Sequence, residues 1–274
     1  MPELPEVETV CRGLAVVLEG RRIARLDLRR RDLRIPFPKG LVAAVTGARI
    51  LKIHRRAKYV LMDLDNDLVL IAHLGMSGRM VVAKKGAPLE KHDHVIFVTD
   101  DETEVRFNDP RRFGLLTFTP VSELDGHKLF RHLGPDPLGN RFNPEVLSAA
   151  LKGRKTSIKT ALLDQRIVVG VGNIYACESL YRAGISPKRK ASTIPGERAE
   201  RLVPAIRAVL KEAIASGGSS LRDHKQPSGE LGAFQHSWQV YGRPGKPCKR
   251  HPDTAIKRIV QGGRSTFFCP RCQT

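Results

Sequence analysis

The sequence predicts an α+β protein: an antiparallel sheet region first, a helical region second and a metal-held hairpin last. Three observations carry that expectation. From about Arg22 to Thr119 short apolar runs alternate with turn signals, the pattern of repeated hairpins in a sandwich or barrel. At Gly134 to Pro144 the chain is rich in Pro and Gly, and beyond it strand-like patterning gives way to helical periodicity. The last residues set two metal-ligand pairs, Cys248/His251 and Cys269/Cys272, seventeen residues apart.

Composition narrows the partners. The 274 residues are 41% hydrophobic, enough for real cores, and 47 Lys+Arg against 28 Asp+Glu give a net charge of +19. For a globular chain that charge points first to nucleic acid and second to an anionic membrane surface. The membrane is the weaker choice, because no apolar run approaches the roughly 18 residues a spanning helix needs. The N-terminus also carries acids where a signal peptide has bases, so a soluble, intracellular protein is expected.

The first element is a helix. Val7, Val10, Cys11, Leu14, Val17 and Leu18 keep helical spacing, Pro5 suits a first turn and Gly20 a stop. Its leading residues, Met1-Pro2-Glu3-Leu4-Pro5-Glu6, can also carry chemistry. Removal of Met1 ahead of so small a residue leaves Pro2 as a free secondary amine. An α-amino group titrates near pH 8, so a useful fraction is neutral at pH 7. Added to a sugar aldehyde carbon, a secondary amine forms an iminium that has no nitrogen proton to lose and remains an electron sink. A plain structural role for Glu6 and Glu8, complementing the helix dipole, fits the same residues.

In the strand region, Tyr59 to Leu64 and Leu68 to His73 flank Asp65-Asn66-Asp67, while His94 to Thr99 and Thr103 to Phe107 flank a second acidic turn. Three loops stand out. Arg55-Arg56-Ala57-Lys58-Tyr59 sets a basic cluster at a strand start, either chemistry or an edge guarded by charge. His73-Leu74-Gly75-Met76-Ser77-Gly78-Arg79 holds a glycine-flanked methionine in a turn. Asn108-Asp109-Pro110-Arg111-Arg112-Phe113-Gly114 presents an Arg and a Phe. Exposed apolar and cationic tips on a strongly basic chain fit proteins that push side chains into the base stack.

The helical region follows, with helices expected at Pro144 to Leu151, Ser157 to Leu163, Tyr175 to Ala183 and about Pro195 to Ser216. The joint from Asp164 to Ile174 is glycine-rich. Asn173 is expected to cap the next helix, so that with Arg154, Lys155 and Lys159 the joint forms a phosphate clamp; an ordinary helical hairpin is the alternative. The polar segment from Ser219 to Ala233 lacks periodicity and reads as a mobile loop. Of five cysteines, Cys11 and Cys177 fall on helical stretches and read as buried thiols. The other three join His251 in a Cys3His set for one structural Zn2+, on a hairpin carrying eight Lys and Arg from Arg243 to Arg271 against Asp253 alone.

These residues resemble the formamidopyrimidine-DNA glycosylase family. The resemblance is carried by Pro2-Glu3-Leu4-Pro5-Glu6-Val7-Glu8-Thr9, Arg56-Ala57-Lys58-Tyr59, Asp109-Pro110-Arg111-Arg112-Phe113-Gly114, Gly172-Asn173-Ile174-Tyr175 and the terminal cysteines, in the family's order from Pro2 to Cys272. His251 stands where the family usually has a second cysteine, and the interval to Cys269 is one residue longer, so the site depends on His251 presenting a ring nitrogen.

The resemblance implies an N-terminal β-sandwich flanked by helices (1–133), a linker (134–144), a helix-two-turn-helix domain with a lesion loop (145–238) and a zinc hairpin (239–274). It implies a monomeric base-excision enzyme of the bacterial cytoplasm, held to the nucleoid through DNA. Such an enzyme excises 8-oxoguanine and formamidopyrimidines from double-stranded DNA and cuts the abasic site by β,δ-elimination. Carried over by position, Pro2 is the nucleophile, Glu3 handles protons at the sugar, Lys58 donates a proton during β-elimination, and Arg264 serves δ-elimination or grips phosphate. His92, Arg111, Arg154, Lys159 and Asn173 hold DNA; Met76, Arg111 and Phe113 fill the gap left by the flipped base; Glu6 and Glu178 lie by the lesion pocket. Two other readings stay open: a relative resembling endonuclease VIII, acting on oxidised pyrimidines, and a DNA-binding protein without activity. Leu4 and the Arg111/Phe113 loop favour the purine branch, while intact Pro2, Glu3 and Lys58 favour an enzyme.

Overall fold

A computed structural model describes residues 1–84, 86–219, 227 and 232–274. The chain divides into two compact units: Met1–Arg131 with Ser216–Gln235, and His132–Ala215 with His236–Thr274. The segment Ser216–Gln235, expected within the helical domain, thus belongs by compactness to the first unit. The physical reason is local: Ser219 donates its N–H to the Glu6 carboxylate at 2.8 Å and bridges Ala233. Of the loop expected to be mobile, 220–226 and 228–231 lie outside the described residues.

In the first unit, helix α1 (Leu4–Leu18) leads into β1 (Ile23–Leu28), a short α2 (Leu41–Val45), and strands β2 (Ile50–Arg56), β3 (Tyr59–Leu64), β4 (Leu68–His73), β5 (Arg79–Val82), β6 (Asp93–Thr99), β7 (Glu104–Asn108) and β8 (Leu115–Pro120). They form two antiparallel four-stranded sheets, ordered β1-β6-β7-β5 and β2-β3-β4-β8. One apolar cluster joins both sheets with α1: Ile53, Met62 and Leu70 from one, Leu26, Phe97 and Phe107 from the other, and Val7, Val10, Leu14 and Leu18 from the helix. This is a sandwich, the two-sheet solution for strands with one buried face. Asp67, at φ +60°, closes the β3–β4 turn as the acidic signal predicts. Cys11 is buried on the stripe of α1, and burial pushes its thiol up to about 12, an inert core residue.

The second unit holds α3 (Pro144–Leu151), α4 (Ile158–Leu162), α5 (Asn173–Arg182) and α6 (Glu197–Ala215), then the hairpin β9 (Lys257–Gln261) and β10 (Arg264–Phe268). Asn143 and Ser157 cap α3 and α4 through their side-chain oxygens. The helix expected from Tyr175 begins earlier, and its cap is Gly172 rather than Asn173, which has helical geometry. The hairpin stands on α5: Cys177 and Tyr181 share a cluster with Val240, Ile256 and Phe267. Among the described residues no helix is long and apolar enough to cross a membrane.

Candidate functional site

Pro2 and Glu3, at the start of α1, are buried, and Met1 is exposed. While Met1 is attached, the Pro2 nitrogen is an amide whose lone pair is delocalised, so nucleophilic chemistry requires its removal. Glu3 is the N-cap of α1 and forms a reciprocal capping box with Glu6, which accepts the Glu3 N–H at 2.9 Å. The other Glu6 oxygen takes the Ser219 N–H. Glu6, expected beside a lesion, therefore spends its carboxylate on fastening the chain start to the base of the 219–233 segment.

Lys58 sits with Ala57, at φ +54°, in the tight two-residue β2–β3 turn and is buried. Arg55 ties this turn to α1, donating to Glu8 at 3.1 Å and to the Ala57 carbonyl at 3.0 Å. Beyond the turn lies His73 on β4, which pairs with Tyr59 and accepts the Gly75 N–H on Nδ1 at 2.9 Å. Burial, then the charges of Lys58 and Arg34, lowers His73 to about 4, so it is a neutral acceptor at pH 7. In sequence His73 ends an apolar strand and opens the Gly75-Met76 turn, and neither feature signals its burial beside Lys58.

Met76 and Phe113 protrude from neighbouring loops, 40% and 44% exposed, and the Arg111 guanidinium stacks over the Phe113 ring at 4.9 Å. His92 is half-buried and lends its carbonyl to the Asp109 N–H. The Met76 and Phe113 loops touch, Gly75 lying against the Phe113–Gly114 backbone.

In the second unit the expected phosphate clamp is divided. Arg154 is partly exposed, its Nε donating to the Ala150 carbonyl and a terminal nitrogen facing Asp164 at 3.5 Å. Lys159 is fully buried on α4. Asn173, instead of capping α5, donates Nδ2 to the Ser265 carbonyl at 2.9 Å and ties α5 to β10. Arg264 is exposed beside the Gly262-Gly263 turn, whose φ of +55° and +71° needs glycine. Glu178 is buried and its carboxylate accepts the N–H groups of Gln239, Val240 and Tyr241 at 2.8–3.2 Å. Burial pushes its pKa up while those three bonds pull it down. This acid holds the lead-in to the hairpin; its helix position alone could not reveal a partner sixty residues away.

The metal set converges. The ligand atoms of Cys248, His251, Cys269 and Cys272 lie within 4.8 Å of one another, with Cys248 and Cys272 sulfurs 3.6 Å apart and His251 Nδ1 3.0 Å from Cys272 Sγ. Zn–S bonds of about 2.3 Å in a tetrahedron put sulfurs roughly 3.8 Å apart, so these side chains fit one structural zinc. His251 presents the ring nitrogen that the site depends on. A zinc-fitting hairpin on a helical unit, in one strongly basic chain with a sandwich bearing Arg, Met and Phe tips, defines the class of zinc-finger proteins suited to nucleic acid.

Comparison with known proteins makes the class specific. Residues 1–116 match the formamidopyrimidine-DNA glycosylase N-terminal domain, 133–225 its H2TH domain, and 245–274 the zinc finger found in FPG and IleRS. Formamidopyrimidine-DNA glycosylases of Ruegeria pomeroyi and Roseobacter denitrificans are 54% and 56% identical to the chain, each over 100% of both proteins. The crystal structure of the MutM (Fpg) protein from Thermus thermophilus is 39% identical and superposes with a TM-score of 0.88 over 99% of this chain and 98% of that one. A Lactococcus lactis Fpg variant in complex with DNA containing Fapy-dG is 34% identical, with a TM-score of 0.92 over 100% of each chain. The chain belongs to the formamidopyrimidine-DNA glycosylase family.

Proposed function

We propose that this protein excises oxidised purines, 8-oxoguanine and formamidopyrimidines, from double-stranded DNA and then cuts the strand at the abasic site. The observation that carries the reading is the full-length identity above 50% to named glycosylases, together with an intact Pro2-Glu3 start on α1. Relatives solved with DNA containing Fapy-dG and with DNA containing an abasic site favour the same two substrates.

A base inside a duplex hides its sugar carbon, so the nucleotide must be extruded and the hole filled. Met76, Arg111 and Phe113 fill it. The neutral Pro2 nitrogen attacks C1′, the damaged base leaves with its bonding pair, and the ring-opened sugar stays on Pro2 as an iminium. Glu3 shuttles protons between the sugar oxygen and nitrogen. The iminium acidifies C2′–H, and its loss expels the 3′-phosphate in β-elimination; a second loss expels the 5′-phosphate in δ-elimination. Lys58 donates protons in the first, and Arg264 assists the second or grips phosphate. His92, Arg154, Lys159 and Asn173 support the DNA backbone, Lys159 and Asn173 through buried or hairpin-anchored positions, and Glu6 and Glu178 act on lesion binding each through the segment it holds. By sequence the catalytic sandwich spans 1–133, the linker 134–144, the helix-two-turn-helix region 145–238 and the zinc hairpin 239–274, with the lesion segment of the third stretch packing in the first compact unit. The enzyme works as a monomer in the bacterial cytoplasm, at the nucleoid.

Borohydride added to Met1-processed protein and an 8-oxoguanine duplex is expected to trap a covalent complex, and Pro2→Gly to abolish most of it. No trapping with the processed protein leaves a DNA-binding module only. One Lactococcus lactis Fpg structure holds DNA with an oxidised pyrimidine, so an oxidised-thymine duplex is the second substrate to compare. Faster cleavage of that duplex than of 8-oxoguanine overturns the purine assignment.

A further inference from the structure

The tips proposed to fill the vacated stack come from two loops far apart in sequence, yet one buried side chain fastens both. Asp109 is fully buried. Its Oδ1 accepts the Ser77 hydroxyl at 2.8 Å and its Oδ2 accepts the Gly114 N–H at 2.8 Å. Ser77 Oγ in turn accepts the Arg111 N–H at 3.2 Å. The Asp109 backbone is held too, its N–H donating to the His92 carbonyl and its carbonyl accepting His94 Nε2, each at 3.0 Å. Met76 therefore precedes one bonded residue, Phe113 precedes another, and Arg111 bonds through its own N–H. All three trace to a single carboxylate.

Close packing enforces the same union. A Cβ on Gly75 would lie 2.4 Å from the Phe113 carbonyl carbon, and one on Gly114 would lie 2.9 Å from the His73 carbonyl oxygen. The two loop backbones touch where side chains cannot fit. A wedge that is ordered before it meets DNA does not lose loop entropy at insertion, which is where preorganisation gains rate.

We propose that Asp109 is a positioning residue that holds Met76, Arg111 and Phe113 as one preformed wedge, so that its removal impairs extrusion of the damaged nucleotide and not the covalent chemistry. The inference rests on the wedge role proposed above. Asp109→Asn separates charge from connectivity. The introduced side chain can keep the Gly114 bond on its oxygen while its amide donates to Ser77 Oγ, which has lone pairs for both that amide and the Arg111 N–H.

The test uses full-length, Met1-processed protein with two substrates. One is an 8-oxoguanine duplex carrying 2-aminopurine beside the lesion, whose fluorescence rises when the stack opens. The other is a single-stranded abasic oligonucleotide with borohydride, where no stack needs filling. Asp109→Ala is expected to slow the fluorescence rise and duplex excision tenfold or more and to leave single-strand trapping within twofold. Asp109→Asn should recover most of the loss, and Ser77→Ala should show part of it and add nothing on top of Asp109→Ala. An equal fall on both substrates, or unchanged duplex excision in both Asp109→Ala and Ser77→Ala, overturns the proposal. If wild-type protein gives no fluorescence rise and Met76→Ala and Phe113→Ala excise normally, the wedge reading itself fails, and the proposal with it.

Discussion

At the scale of single residues, the buried histidine on β4 sets a pH dependence. His73 falls from 6.5 to about 4 because burial, and then Lys58 and Arg34, disfavour its charged form. A base whose folded pKa lies below its unfolded value binds more protons unfolded, so its stabilising contribution is complete above about pH 6.5 and drains away as pH falls toward 4. The shift corresponds to roughly 3 kcal/mol lost across that window. Denaturant unfolding at pH 7, 5.5 and 4.5 should show the decline, and His73→Gln should flatten it. A mutant profile as steep as wild type would assign the loss to other groups. Protonation also removes the acceptor for the Gly75 N–H, so the Met76 loop should loosen over the same range.

Among elements, the zinc hairpin depends on two kinds of bond. His251→Ala should remove one ligand and with it the one zinc per chain, measured by metal analysis after dialysis; retained zinc means another group ligates. Glu178→Ala leaves every ligand in place but strands three N–H groups that now end on one carboxylate. Each unsatisfied donor costs about 1–3 kcal/mol, so the lead-in at Gln239–Tyr241 should detach and zinc should leave to a chelator at least tenfold faster. Equal release rates in mutant and wild type would mean the hairpin stands without α5. At the other end of the chain, α1 is locked by the Glu3/Glu6 box and by Ser219, which keeps the proposed nucleophile on a fixed element instead of a frayed terminus.

For the molecule as a whole, a net charge of +19 makes duplex affinity a counterion-release problem. Neutralising about six phosphates predicts a loss on the order of 10³-fold in affinity between 50 and 200 mM salt. Titration of a fluorescent undamaged duplex at several salt concentrations checks the slope, and an affinity indifferent to salt would sink the electrostatic account.

Much of this was legible in the linear chain. Strands β3 and β4 end where alternation and the Asp65-Asn66-Asp67 turn say, because local backbone chemistry decides such hairpins. The zinc pairs and the exposed Met76, Arg111 and Phe113 tips also follow from spacing and turn residues, and short-range rules suffice for both. What residue type left undecided were the partners of buried polar groups. Glu6 and Glu178 could accept any of several backbone N–H groups; Asn173 could cap its helix or reach β10; Lys159 could be exposed or enclosed. Only long-range packing selects among these, since a buried acceptor bonds whichever donors the fold delivers to it. Asp109 is the clearest case: the sequence supplies an acid before a proline, and the tertiary structure alone makes it the joint between two loops.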